Sequence, residues 1–118
     1  MPPQQIKICS KDNRTVYGVG FVVGCYTFGH VYFANGLPDR NLWAIRSAET
    51  GLNVAIFKNR QVAMNFLKWI WHTYGDITET LKRCHAYKET PDDARILDEI
   101  NERSKHESRV YAAKLWSV

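Results

Sequence analysis

The spacing of apolar residues along this chain follows one period up to residue 57 and another after it. From Thr15 to Phe33 the run is β-branched, aromatic or small, and holds no Asp, Glu, Lys or Arg. Tyr17, Val19, Phe21, Val23 and Cys25 share one parity, whereas Gly18, Gly20 and Gly24 share the other. Alternate residues of an extended chain point to opposite faces. One face of this segment is therefore large and apolar, and the other is partly bare backbone. Bare backbone weakens a strand and implies a bend, a bulge or the close approach of another group. The run exceeds the length of an ordinary strand, so it is expected to fold back on itself near Gly24 or Gly29. Ile6–Cys9 predicts a short first strand behind a loose tail at residues 1–5. Asn35-Gly36 marks a turn, and residues 37–41 a surface loop. Leu42–Arg46 and Leu52–Phe57 predict a hairpin closed through Gly51.

After Phe57 the period becomes helical. Ala63, Phe66, Leu67, Ile70 and Tyr74 form a stripe at helical spacing, with Asn59 placed as its N-cap and Gly75 as its stop. Asp76-Ile-Thr-Glu79 has the spacing of a capping box and predicts a short helix to about Tyr87. Thr90-Pro-Asp-Asp93 starts a third helix, with Ala94, Leu97 and Ile100 as its buried face. Residues 101–109 hold no apolar residue, and 110–116 are apolar again. Two outcomes fit this pattern. A continuous helix would carry residue 116 about 24 Å past Ile100, at ~1.5 Å per residue. Residues 101–118 would then protrude and place Tyr111, Leu115 and Trp116 on a second subunit or a partner. A break near Ser104 would instead fold this end back onto its own chain. Strands first and helices after argue for one α+β domain over residues 1–118. Its mostly antiparallel sheet of four or five N-terminal strands would be packed by two to three C-terminal helices.

Composition narrows the class. A chain of 118 residues with 45% hydrophobic content can bury a core as one domain. No run has membrane-spanning length, and Met1–Lys7 lacks the apolar centre of a signal peptide. Cys9, Cys25 and Cys84 are odd in number and far apart, so neither a disulfide framework nor a zinc knuckle is written here. A reduced, cytoplasmic protein without metal or cofactor is the expectation. The net charge is +4, less than the dense basic stripe of a dedicated nucleic-acid domain.

Candidate chemistry is sparse. Gly18-Val-Gly-Phe-Val-Val-Gly24 is glycine-rich, but a dinucleotide fingerprint needs a helix opening on the glycines, and here strand-type sequence follows. Cys84-His85 are neighbours, and helical neighbours diverge by about 100°, so they do not pair as nucleophile and base. Asp92, Asp93, Asp98, Glu99 and Glu102 alternate with Arg95 and Arg103, which is the pattern of a cap followed by a solvated face. The basic constellation worth weighing is Arg40, Arg46, Lys58 and Arg60, gathered at the junction of hairpin and helix where helix amides favour anions.

By elimination the expected function is a small non-enzymatic interaction protein that binds another macromolecule, through self-association or a protein partner. Phage and mobile-element accessory proteins, including inhibitors of host systems, are often of this size. The alternative is a nucleic-acid-binding domain using Arg40, Arg46, Lys58 and Arg60. A third is a small enzyme with a site near Cys25, His30 or Cys84.

Overall fold

The computed structural model describes residues 2–107 and 109–111, the last three by their backbone alone. It has the α+β architecture expected. Strands β1 (Gln4–Cys9), β2 (Thr15–Val23), β3 (Tyr26–Tyr32), β4 (Pro38–Ser47) and β5 (Asn53–Phe57) come first. Helices α1 (Arg60–Tyr74), α2 (Thr78–His85) and α3 (Pro91–Ser104) follow, and then a short strand β6 (Arg109–Tyr111). The strands form one antiparallel sheet in sequence order. Among the described residues no helix is long and apolar enough to cross a membrane.

The uncharged run folds back at Gly24, where φ is +62°, a backbone that glycine adopts without the Cβ penalty. On either side of this turn, β2 and β3 present Val23, Phe21, Tyr26 and Phe28 to one face of the sheet. The α1 stripe of Ala63, Phe66, Leu67 and Ile70 packs there, together with Ile45, Ala55 and Phe57, to make the main core. Phe57 and Phe66 meet with ring centroids 5.1 Å apart. Leu81 of α2 and Leu97 and Ile100 of α3 belong to the same core. Burying a side chain of this size contributes roughly 1.5–3 kcal/mol relative to exposure.

The bare face has a different use. Gly20 pairs with Gly29 across β2 and β3, and the Ile6 side chain lies over both. A Cβ on Gly20 would sit 2.8 Å from Ile6 Cδ1 and 2.6 Å from the Phe28 carbonyl oxygen. Tyr32 covers Gly18 in the same way, and its hydroxyl accepts a 2.9 Å hydrogen bond from Val19 N. This inner face, opposite α1, buries Ile6, Thr27, Ala44, Arg46 and Ile56. The sheet shields itself by rolling: Cys9 N at the end of β1 donates to Gly51 O in the β4–β5 turn, 3.1 Å away. Strands β2 and β3 separate β1 from β4 in the sheet order, so the sheet curls to bring these points together. Lys7 Nζ reinforces the closure by donating to Glu49 O.

Several boundaries differ from expectation. Gln4 and Gln5 are not a loose tail, since they pair with Gly20 and Val19. Residues 38–41 are not a surface loop but the start of β4, where Pro38 and Asp39 pair with Tyr32 and Val31. A register shift between His30 and Val31 absorbs the intervening residues. It also turns Tyr32 onto the glycine face, against strict alternation. At α2, Asp76 accepts from Thr78 N and Ile77 takes the cap position, so the capping box does not form. The long protruding helix does not form either. α3 ends at Ser104, which is fully buried and donates its hydroxyl to Asn101 O. A side chain that bonds its own preceding turn competes with further helix. The chain then turns, and β6 adds to the open edge of β5, with Tyr111 opposite Ile56.

Gly20→Ala tests the rolled sheet. The added methyl meets a backbone carbonyl that cannot move away, so destabilisation of about 1–3 kcal/mol is expected. Urea unfolding measures it, and an unchanged midpoint would show that the inner face is not closed.

Candidate functional site

The outer face of β2 does not end where α1 stops covering the sheet. Tyr17 and Val19 continue the row of Phe21 and Val23 toward the β1 edge, and each is 58% exposed. Their cross-strand neighbours on β1 are Lys7 and Gln5, both exposed. The apolar row is therefore bordered by a polar, basic one. At its other end Phe21 packs on Phe28 with centroids 6.4 Å apart.

Phe28 begins an aromatic stack. Trp43 lies parallel to it at 5.2 Å, and the His30 ring sits 3.8 Å from Trp43 on the next rung. His30 is oriented by its Nδ1, 3.1 Å from Leu42 O. Above these rings lies Arg60, the first residue of α1. Its guanidinium is 5.9, 5.8 and 5.7 Å from the centroids of Phe21, Phe28 and Trp43. Cation–π attraction of this kind holds a cation where no carboxylate does. The first turn of α1 contains no acid, and Asn59 satisfies Val62 N. Tyr17, Val19, Phe21 and Arg60 thus form one continuous outer surface, apolar at one end and cationic and aromatic at the other.

The expected basic constellation is divided by the fold. Lys58 and Arg60 are exposed and two residues apart at the start of α1. Arg40 is exposed on the irregular part of β4. Arg46 is only 2% exposed, so it does not belong to a surface patch. The register sends Trp43 and Ile45 outward to α1, and Arg46 inward with Ala44. Of the residues expected at a partner interface, Leu115 and Trp116 lie outside the described residues. Tyr111 lies in β6, whose backbone pairs with β5, so no continuous helix presents these three together.

The other chemistry-bearing residues are spread out. Cys25 sits at the β2–β3 turn, where burial and then the Asp76 carboxylate push its thiol up to about 11. A nucleophilic cysteine needs the opposite shift. His85 Nε2 lies 2.6 Å from Asn13 Oδ1 in the β1–β2 turn. Among the described residues no group of His, Cys, Asp and Glu is placed to hold a metal ion. The α3 acids divide between surface and core. Asp92 and Glu99 pair with Arg95 on the surface. Asp93 is 2% exposed and accepts from Arg83, Thr80 and Thr90 N as part of the helix cap. A shallow, open depression on α3, lined by Pro91, Ala94, Arg95, Asp98, Glu99 and Glu102, lacks convergent apolar walls.

Sequence reasoning missed Tyr17 and Val19 as surface residues. Parity grouped them with Phe21 and Val23, which are partly covered, and nothing local shows where α1 stops. No protein-family model, curated protein or solved structure matches this chain.

The Asp93 cluster predicts a pH dependence. The Arg83 guanidinium holds the Asp93 carboxyl well below the usual carboxylate range. A depressed folded value adds stability that is complete above the unfolded value of about 3.9 and is lost as pH falls toward the folded one. Asp93→Asn should lower the melting temperature at pH 7 and narrow the gap to wild type as pH drops below about 4. A gap that stays constant from neutral to acid would show that the charge of Asp93 contributes nothing.

Proposed function

We propose that this protein is a non-enzymatic interaction protein that binds another protein through the outer face of β1 and β2. An accessory protein or an inhibitor acts in this way, by occupying a surface rather than transforming a substrate. The observation that carries the reading is the pair Tyr17 and Val19, side by side on one face and 58% exposed each. Both stand in an apolar row that runs into the core. Large apolar side chains left in water at a sheet face are what a partner covers, and a tyrosine there is a common anchor. The border of this row is basic, through Lys7 and Arg60, and the chain carries +4 overall. The partner chemistry that fits is an acidic protein surface with an apolar residue at its centre.

Binding measured with an acidic partner from the host extract after nuclease treatment should be lost in Tyr17→Ser/Val19→Ser. The melting temperature of the double variant should stay within about 2 °C of wild type, because neither side chain is buried. Retained binding in the folded double variant would remove this face from the interface. A concentration-dependent dimer that the double variant abolishes would assign the face to a second copy of the chain.

A second reading rests on Arg60. It lies over Trp43 beside Lys58, and no carboxylate pairs with it among the described residues. Nucleic acid would stack and pair at such a corner. Binding there should weaken steeply as salt rises, and Lys58→Glu/Arg60→Glu should abolish it. Wild-type protein that shifts neither DNA nor RNA at low salt would eliminate this reading.

A further inference from the structure

The buried arginine is the unresolved charge of this fold. Arg46 is among the largest fully enclosed side chains in the chain. A guanidinium has five N–H donors and keeps its proton at neutral pH. Here Nη2 donates to His30 O at 3.1 Å, whereas Nε and Nη1 are buried without an acceptor among the described residues. Among the described residues no carboxylate pairs with it. Burial lowers its pKa only to about 10, so the charge remains.

Its neighbours are similarly unsatisfied. Thr27 and Asn53 are the cross-strand partners of Arg46 on β3 and β5. Thr27 Oγ1 and Asn53 Oδ1 are both buried without a hydrogen-bond partner among the described residues. A hydroxyl can rotate to donate, and an amide flip presents the Asn53 NH2 in place of its oxygen. Three adjacent positions on three strands thus carry polar groups that have no hydrogen-bond partner among the described residues, and one of them is a cation.

Isolated buried charge is strongly unfavourable unless it is paired. We propose that the inner face of the rolled sheet is an anion site, in which Arg46 holds one small monovalent anion: a halide, or a carboxylate of formate size. The size limit comes from enclosure: Arg46 is only 2% exposed, so a large anion does not fit beside it. The anion binds only the folded chain, so it stabilises by mass action. This site lies on the opposite face of the sheet from Tyr17 and Val19, and its test does not involve the partner.

The full chain is melted at constant ionic strength in sodium gluconate, whose anion is too large to enter, and in sodium chloride, bromide, nitrate or formate. The expected result is a saturable rise of about 4 °C in at least one small anion over gluconate. Response to formate and not to halides would identify a carboxylate site, and the reverse a halide site. Arg46→Met should melt at the same temperature in every salt. Wild type that melts equally in gluconate and in all the small anions overturns the proposal, as does an Arg46→Met protein that keeps the difference. If that variant does not fold, wild-type crystals grown in bromide decide. An anomalous peak within hydrogen-bond reach of Arg46 Nε or Nη1 supports the site. Water in that position, with no peak, assigns the interior to solvent and overturns it.

Discussion

β2 and β3 pair side by side through Gly20 and Gly29, and the rest of the molecule depends on that contact. Neither residue has a side chain to hold β2 and β3 flat, so Ile6 of β1 can settle over both. β1 therefore rolls inward until Cys9 meets Gly51 across the open side of the sheet. A flat antiparallel sheet would have left its second face to solvent or to another layer. The curl lets one helical layer suffice, because the second face is buried by the sheet itself. It also explains why the chain can leave residues as polar as Thr27 and Arg46 at core exposure.

The helices depend on the outer face in turn. α1 covers β4 and β5, and its N-terminal Arg60 reaches only as far as Phe21. Beyond that point β2 has no cover. The same curvature that hides Ile6 turns Tyr17 and Val19 outward, so the buried inner face and the exposed outer one are two consequences of one bend. α2 and α3 are fastened to each other by the Arg83–Asp93 pair, whose carboxylate also completes the capping box begun by Thr90 at α3.

The contrast between the two arginines at the hairpin–helix junction is chemical as well as positional. Arg60 is exposed and satisfied by π faces, an interaction that tolerates water. Arg46 is enclosed, and among the described residues two of its three nitrogens have no acceptor. A guanidinium cannot relieve burial by losing its proton, as a lysine can. That difference keeps the charge in the interior.

Much of this was legible in the residues alone. Helix stripes, the Asn59 and Thr90 caps, the Gly75 stop and the turns at Gly24, Gly36 and Gly51 are local signals. Each depends on the dihedral and hydrogen-bond preferences of a few adjacent residues, so the α+β order and the core positions of Phe66, Leu67 and Ile70 follow directly. The glycine parity of residues 18–24 also announced a close approach, though not its partner. What the sequence could not contain was contact between distant segments. Residues 101–116 permit either a long helix or a return, and only the open edge of β5 decides for a strand at Arg109–Tyr111. Arg46 and Arg60 are both basic residues beside apolar ones, and only the register and curl of β4 send one inside and leave the other out. Tyr17 and Phe21 share a parity, and only the finite reach of α1 exposes one and covers the other. Periodicity specifies which face a side chain takes, whereas exposure depends on what covers that face, and that is settled by chain closure over long sequence separations.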